Sequence, residues 1–293
     1  MRSMTQKRRW LLAGMASCIV VLAASCTDLT AVRDWSKMSL EATQYNEIVT
    51  TYTNTPERLK KYDPAKPWDN MIADRKNQGE ALKQILSLVS DYMAALATLS
   101  ADGIVDYSKD VDSLKTSIGN LNAKISQDTL GAVGSLVKEI LGAVVKAYQA
   151  KQVADIVEKA NDPLQVILRA DLRQIVDRDF RSDLANEKDL LTRYYKSFWQ
   201  KDMTSAAAKE ALGEGRTCPA AKEALEEWKE ERLEQNAKRV KALDAYLKVL
   251  DAVASGHQKL YDNRNKLDAK TLIKDLYSLV EEMQKQITIL VKS

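Results

Sequence analysis

Hydrophobic residues recur every three or four positions along most of the chain. Past Asp69 the clearest run has successive spacings of 3, 4, 3, 4 and 3 residues, and its members are Leu82, Ile85, Val89, Tyr92, Leu96 and Leu99. This spacing places all of them on one face of an α-helix. Asp69 or Asn70 is suited to cap the start of the helix, and Asp102-Gly103 to end it. The pattern therefore predicts a long amphipathic helix between these positions.

The same rhythm predicts further helices along the rest of the chain. They are expected over residues 106–125 and 129–159, from Asp162 to Gly213, from Thr217 to a break at Ser255-Gly256, and after a further break from Asp262 to Asp268. Asp162 and Pro163 are read as the N-cap and first residue of a helix. No run of alternating β-branched residues indicates a strand.

We therefore predict an all-α fold, an elongated antiparallel helical bundle with long helices, over residues 69–293. Helices of 30 to 45 residues would be on the order of 45 to 65 Å long. The bundle could consist of two hairpin units that divide near residues 161–163.

Residues 26–68 have a weaker pattern and precede this bundle. Leu40, Tyr45 and Ile48 suggest moderate helix, which the Thr-rich stretch before Pro56 should end. Pro64 and Pro67 then stiffen a linker. We expect residues 27–68 to act partly as an arm that gives the domain reach.

The first 25 residues have the features of an export signal. Lys7, Arg8 and Arg9 precede an almost entirely apolar run, Leu11 to Ala24. The run is short for a membrane span. It ends in Leu22-Ala23-Ala24-Ser25-Cys26, which resembles the lipobox of bacterial lipoproteins, although that family more often has a branched apolar residue where this chain has Ala23.

The resemblance implies cleavage before Cys26 and lipid attachment to its sulfur. It predicts a membrane-anchored protein of the cell envelope. If the cell is Gram-negative, we expect the protein at the outer membrane and facing the periplasm. The reason is that Thr27 follows Cys26, in place of the Asp that resembles an inner-membrane retention mark. Cys18 is a weaker candidate for the lipidated residue. An ordinary secretory signal or an uncleaved anchor helix would be the alternative.

The charge balance changes once this segment is removed. The formal net charge of +3 includes four cations within residues 1–25 and no acid there, so the remainder carries −1. A nearly neutral chain lacks the clustered basic face that nucleic-acid binding requires. If Cys26 is lipidated and Cys18 is removed, Cys218 has no intrachain partner for a disulfide.

Residues 129–148 form the most unusual stretch of the sequence. Gly131, Gly134 and Gly142 remove side-chain bulk from a mostly apolar run, which Lys138 and Glu139 interrupt. We interpret the run as a central helix that neighbouring backbones approach closely. The alternative is a sequestered membrane-inserting segment, since the composition loosely resembles that of helical pore-forming toxins.

Residues capable of chemistry are few. Glutamates recur at helical spacing in one segment: Glu223, Glu226, Glu227, Glu230, Glu231 and Glu234. Carboxylates one turn apart could hold a divalent cation in a metal- or cofactor-binding bundle, but interleaved lysines and arginines favour a solvated face. His257 is the only histidine, and we expect it to cap a helix or lie at the surface.

The densest aromatic group is Tyr194, Tyr195, Phe198 and Trp199. At helical spacing these rings cannot all face one side, so an exposed remainder would form a protein-partner surface. With no nucleophile elbow, phosphate-binding glycine loop or metal motif, we expect neither catalysis nor a cofactor. The sequence thus favours a lipid-anchored envelope protein with a scaffold, spacer or partner-binding role.

Overall fold

The computed structural model describes residues 28–101, 131–136, 138, 149–202 and 219–292. These residues form helices and their connections, with no strand among them. The predicted all-α fold with long helices is confirmed.

Eight α-helices have defined bounds in these ranges, and residues 131–136 are helical as well. The eight helices are α1 (Thr30–Thr43), α2 (Glu47–Thr53), α3 (Thr55–Lys60), α4 (Trp68–Leu99), α5 (Gln149–Gln165), α6 (Arg181–Asp202), α7 (Pro219–Asp262) and α8 (Lys270–Lys292). Two π-helical segments, Val166–Leu172 and Gln174–Phe180, join α5 to α6.

Helix α4 has the buried face that its sequence pattern predicts, but its N-cap is Pro67 and not Asp69 or Asn70. The predicted stop at Asp102-Gly103 lies outside the described residues. All six periodic hydrophobic residues from Leu82 to Leu99 are buried in the main core. The Ser90 hydroxyl on the same helix lies 2.9 Å from the hydroxyl of Thr43 on α1, so this polar pair is satisfied inside the core. The hydrophobic period was sufficient here because the whole face meets other helices.

Helix α1 belongs to the core of the bundle. Val32 and Trp35 are fully buried, and Ile48 and Tyr52 of α2 join the same cluster. The Tyr45 hydroxyl donates to the Leu290 carbonyl at 2.7 Å, which ties this segment to the end of α8. Helices α1 and α2 are therefore packed into the helical domain, whereas we expected residues 27–68 to act partly as an extended arm.

The predicted helix start at Asp162-Pro163 is wrong. Helix α5 runs through Pro163, and helical structure continues without interruption to Asp202. Proline has no N–H to donate to the preceding turn, and the helix widens into π-type turns from Val166 onward. Buried Leu164, Ile167 and Leu168 hold this stretch against the core, so tertiary packing outweighs the local stop signal.

The predicted break at Ser255-Gly256 is also wrong, because α7 is continuous to Asp262. Gly256 is buried beneath the indole of Trp35, and an added Cβ would lie 2.2 Å from the indole nitrogen Nε1. The glycine permits the close approach of α1 and does not end the helix. The predicted break at residues 262–268 is present, and α8 returns antiparallel to α7, with Lys259 paired to Asp275 at 2.6 Å.

Candidate functional site

The predicted aromatic group forms a partly exposed cluster at the surface of α6. The Tyr194 ring lies 5.4 Å from that of Tyr195 and 6.0 Å from that of Phe198, between ring centroids. Tyr62, which follows α3, completes the cluster at 5.3 Å from Tyr194 in an edge-to-face contact. The sequence analysis missed Tyr62, because its position more than 130 residues earlier gives no local signal.

Part of this cluster faces solvent. Phe198 is 38% exposed, whereas Tyr62, Tyr194 and Tyr195 are half-buried. Trp228 on α7, in the same α6–α7 hairpin, is 56% exposed. Exposed large aromatic side chains are enriched in protein interfaces. Trp199 belongs to the predicted surface, but its side chain lies outside the described residues.

A buried ion pair of Glu187 with Arg58 and Arg239 supports the cluster, and we call these three residues the ion-pair base. Glu187 of α6 is 2% exposed and accepts two hydrogen bonds from Arg58 of α3, at 2.9 and 3.2 Å. Arg239 of α7 reaches the same carboxylate at 3.3 Å. A buried carboxylate is tolerated when it is paired and hydrogen-bonded, and the two-point contact from Arg58 sets its orientation. Helices α3, α6 and α7 are thereby joined at Glu187, about two helical turns before Tyr194 on α6.

Burial is the main cause of the pKa shifts at and around the ion-pair base. Burial lowers the pKa of Arg239, and the neighbouring Arg58 lowers it further. Burial also raises the pKa of the Tyr62 phenol, to which Tyr195 adds. One turn before Glu187, burial raises the pKa of Asp183 despite its pairing with Arg75 at 2.8 Å. These groups are packed and paired, as a rigid support requires.

A groove of about 240 Å³ lies beside the cluster, between α6 and α7. Tyr195 forms part of its wall. The other lining residues are Thr192, Lys196, Lys222, Leu225, Glu226 and Lys229. Three ammonium groups and one carboxylate therefore surround a short apolar surface. Such an arrangement suits an anionic group next to an apolar one.

A larger open groove of about 620 Å³ lies along the π-helical stretch. Three of its four arginines pair with neighbouring acids: Arg173 pairs with Asp251, and Arg178 with Asp179. Arg181 pairs with both Asp177 and Asp244, each at 2.8 Å. The fourth arginine, Arg169, donates to the Ser255 hydroxyl at 3.3 Å, so most of the positive charge in this groove is already paired.

The glutamates that we considered as metal ligands all lie exposed on the first half of α7. Lys238 pairs with Glu234 at 2.9 Å, as expected for a solvated, mixed-charge face. Within the described ranges, no group of three or more His, Cys, Asp and Glu side chains is placed to hold a metal ion.

His257 is fully buried in α7, so the expectation of a capping or surface position is wrong. Its Nδ1 lies 3.0 Å from Asn161 Oδ1, and its Nε2 lies 2.6 Å from the Tyr92 hydroxyl. Since the amide oxygen can only accept, Nδ1 carries the proton and Tyr92 donates to Nε2. Asn161 in turn donates to Gln258 at 3.1 Å. Burial lowers the pKa of His257 to about 3 and raises that of Tyr92.

This His257–Tyr92–Asn161 network joins α4, α5 and α7 in the interior. A neutral histidine without access to solvent cannot exchange protons with a bound substrate. Neither of the two grooves described above includes any of its three members in its lining. The network therefore satisfies buried polar groups and aligns three helices.

The unusual segment at residues 129–148 is described only in part. Ala132, Val133 and Leu136 are buried in the main core, as the core interpretation predicts. Gly131 and Gly134 are exposed, and a Cβ at either would meet no described atom within 4 Å, so no described residue makes the expected close backbone approach at these two positions. Gly142 lies outside the described residues, as do Cys26 and Cys218.

None of the helices in the described ranges is long and apolar enough to cross a membrane. Comparisons of the chain with protein-family models, curated proteins and solved structures found no match.

Proposed function

We propose that this chain is a lipid-anchored protein of the bacterial cell envelope that binds a protein partner and performs no catalysis. The lipobox-like sequence Leu22-Ala23-Ala24-Ser25-Cys26 supports the anchor. Lipid on Cys26, in the multiply acylated form that the resemblance implies, would hold the chain firmly at a membrane. The helical domain behind it would then work at a fixed distance from that membrane.

The partner-binding role depends on one observation above all, the partly exposed aromatic cluster Tyr62, Tyr194, Tyr195 and Phe198 on its buried ion-pair base. Aromatic side chains with few rotatable bonds lose little entropy on binding, and a rigid base reduces that cost further. A surface of this kind suits recognition of another protein and offers no group positioned for chemistry.

The anchor is tested by cell fractionation with fatty-acid labelling. We expect the wild-type chain in the membrane fraction with label attached, and the Cys26→Ser chain unlabelled in the soluble fraction. Cys18→Ser is the matched control and should remain labelled at the membrane. Unchanged membrane association of Cys26→Ser would rule out the proposed anchor.

The partner surface is tested by chemical crosslinking in intact envelopes. Phe198→Ser should abolish a crosslinked product of the wild-type chain. Tyr277→Ser on α8 is the matched control, because Tyr277 is 40% exposed against 38% for Phe198. Equal products from both variants would exclude the aromatic cluster as the binding surface.

A further inference from the structure

The groove between α6 and α7 is built from one face of each helix. Thr192, Tyr195 and Lys196 have spacings of three and one on α6, and Lys222, Leu225, Glu226 and Lys229 repeat this rhythm on α7. Residues at such spacings lie on the same side of a helix. The acidic residues Glu223, Glu227 and Glu230 occupy another side of α7, so the groove is separated from the solvated acidic face.

The groove has a local excess of positive charge. Three lysines line it against the single carboxylate of Glu226. In the described part of the chain, Lys196 and Lys229 form no ion pair with an acid. Their charge therefore remains for a ligand, in contrast to the paired Arg173, Arg178 and Arg181 of the larger groove. Uncompensated rim charges steer oppositely charged partners and fix their register.

The size of the groove limits what it can hold. At about 240 Å³ it is smaller than the range of roughly 300 to 1,000 Å³ that is typical of small-molecule and cofactor sites. The Tyr195 ring and Leu225 offer apolar contact to one side chain, and the lysines surround it. This geometry fits an apolar residue flanked by carboxylates in an extended or helical peptide.

We propose that this groove binds an acidic peptide segment of the protein partner, with one apolar side chain against Tyr195 and Leu225 and carboxylates on Lys196 and Lys229, an assignment that rests on the partner-binding role proposed above. Continuity favours a protein ligand, because Tyr195 belongs both to the groove and to the aromatic cluster. A partner that covers the cluster reaches the groove without leaving the surface.

The test uses the detergent-solubilised full chain and a short fluorescein-labelled peptide of Asp and Glu residues around a single Phe. Fluorescence anisotropy measures its affinity at low and high salt. We expect saturable binding that weakens with salt, and no binding of the same peptide with Lys in place of its acids. Lys196→Glu combined with Lys229→Glu should weaken binding at least about tenfold.

The matched control reverses the same number of charges elsewhere on α7. Lys241 and Lys248 are exposed and lie outside the groove, so Lys241→Glu combined with Lys248→Glu should change the affinity by less than about twofold. Lys196→Gln combined with Lys229→Gln should give an intermediate loss. Circular dichroism verifies that each variant is folded.

Several results would overturn the assignment. Absence of peptide binding would do so. Equal losses of affinity in both double-Glu variants would also do so, because they would show that the peptide responds to the net charge of the whole chain. The chain could instead bind phosphatidylglycerol vesicles more strongly than the peptide. If Lys196→Glu combined with Lys229→Glu abolished that vesicle binding, the groove would be assigned to a lipid surface. Self-association abolished by that variant would assign it to a second copy of the chain. These outcomes leave the Cys26 and Phe198 experiments unaffected, so failure of the groove is distinguishable from failure of the proposed function.

Discussion

The two halves of α7 differ sharply although they form one uninterrupted helix. Between Pro219 and Lys241, Asn236 is the one buried residue in the described structure. From Ala242 to Leu260 buried residues recur at every turn, and they include Tyr246 and His257. The first half carries the groove and the acidic face, whereas the second half fills the core.

The comparison shows how a bundle can present a surface without losing rigidity. The second half anchors the helix by apolar burial, which is the dominant favourable contribution to folding. Where the two halves meet, Asn236 and Arg239 contact α6 through Leu184 and Glu187. Polar contacts at Asn236 and Arg239 therefore hold the exposed half against α6.

The largest expected contrast comes from truncating one leucine in each half. Leu250 is 2% exposed in the core, so Leu250→Ala should lower the free energy of unfolding by about 2 to 5 kcal/mol. Leu225 lines the groove and is only half-buried, so Leu225→Ala should cost less than about 1 kcal/mol. Urea denaturation of both variants measures the difference, and equal losses would contradict the division of α7.

The second prediction concerns the ion-pair base. Glu187→Ala leaves Arg58 and Arg239 close together without their shared carboxylate, and it should cost about 3 kcal/mol. Glu230→Ala removes an exposed acid of the first half of α7 and should change stability by less than about 0.5 kcal/mol. A Glu187 variant as stable as the Glu230 variant would show that the base is not a structural anchor.

The third prediction tests the contact of α1 with the second half of α7. Gly256→Ala places a Cβ against the Trp35 indole and should cost about 1 to 3 kcal/mol. Gly134→Ala is the control, because its Cβ would enter open space among the described atoms, and the higher helix propensity of alanine should leave stability unchanged or raised by up to about 1 kcal/mol. Thermal unfolding of both variants gives the comparison, and a Gly256→Ala chain that is as stable as wild type would require Trp35 to pack elsewhere.

The fourth prediction is a pH dependence from His257. Its native pKa of about 3 lies below the ordinary value of 6.5, so between these pH values the unfolded chain binds a proton that the native chain does not. The contribution to stability is complete above pH 6.5 and declines by up to about 1.4 kcal/mol per pH unit as the pH falls toward 3.

Replacing the histidine isolates this contribution from that of the carboxylates. The difference in unfolding free energy between wild type and His257→Gln should be constant above pH 7 and should shrink below pH 6.5. Denaturant titrations at a series of pH values measure it. A difference that stays constant down to pH 4.5 would show that His257 is accessible to protons in the native state.

The sequence was sufficient where burial is periodic and insufficient where distant segments meet. The face of α4 was readable because one hydrophobic stripe meets the core along its length. Gly256 and Pro163 were misread as breaks, since each is a local stop signal that tertiary packing overrides. Packing against Trp35 cannot be inferred from the residues around Gly256.

The candidate site was readable in part for the same reason. Tyr194, Tyr195 and Phe198 are close in sequence and stand out as a group. Tyr62, and the pairing of Arg58 with Glu187 across 129 residues, depend on how α3 docks on α6. The groove likewise needs α6 and α7 side by side, and no spacing within either helix indicates which faces meet.

The account depends most on the claim that the α6–α7 hairpin of a membrane-anchored chain is a binding surface. Photo-crosslinking in living cells tests it with one probe at Thr192, on the groove, and another at Glu227, on the acidic face of the same hairpin. We predict a discrete adduct in the membrane fraction from position 192 only, lost when Lys196 and Lys229 are both changed to Glu. Identical adducts from both positions, or none from position 192, would contradict the account.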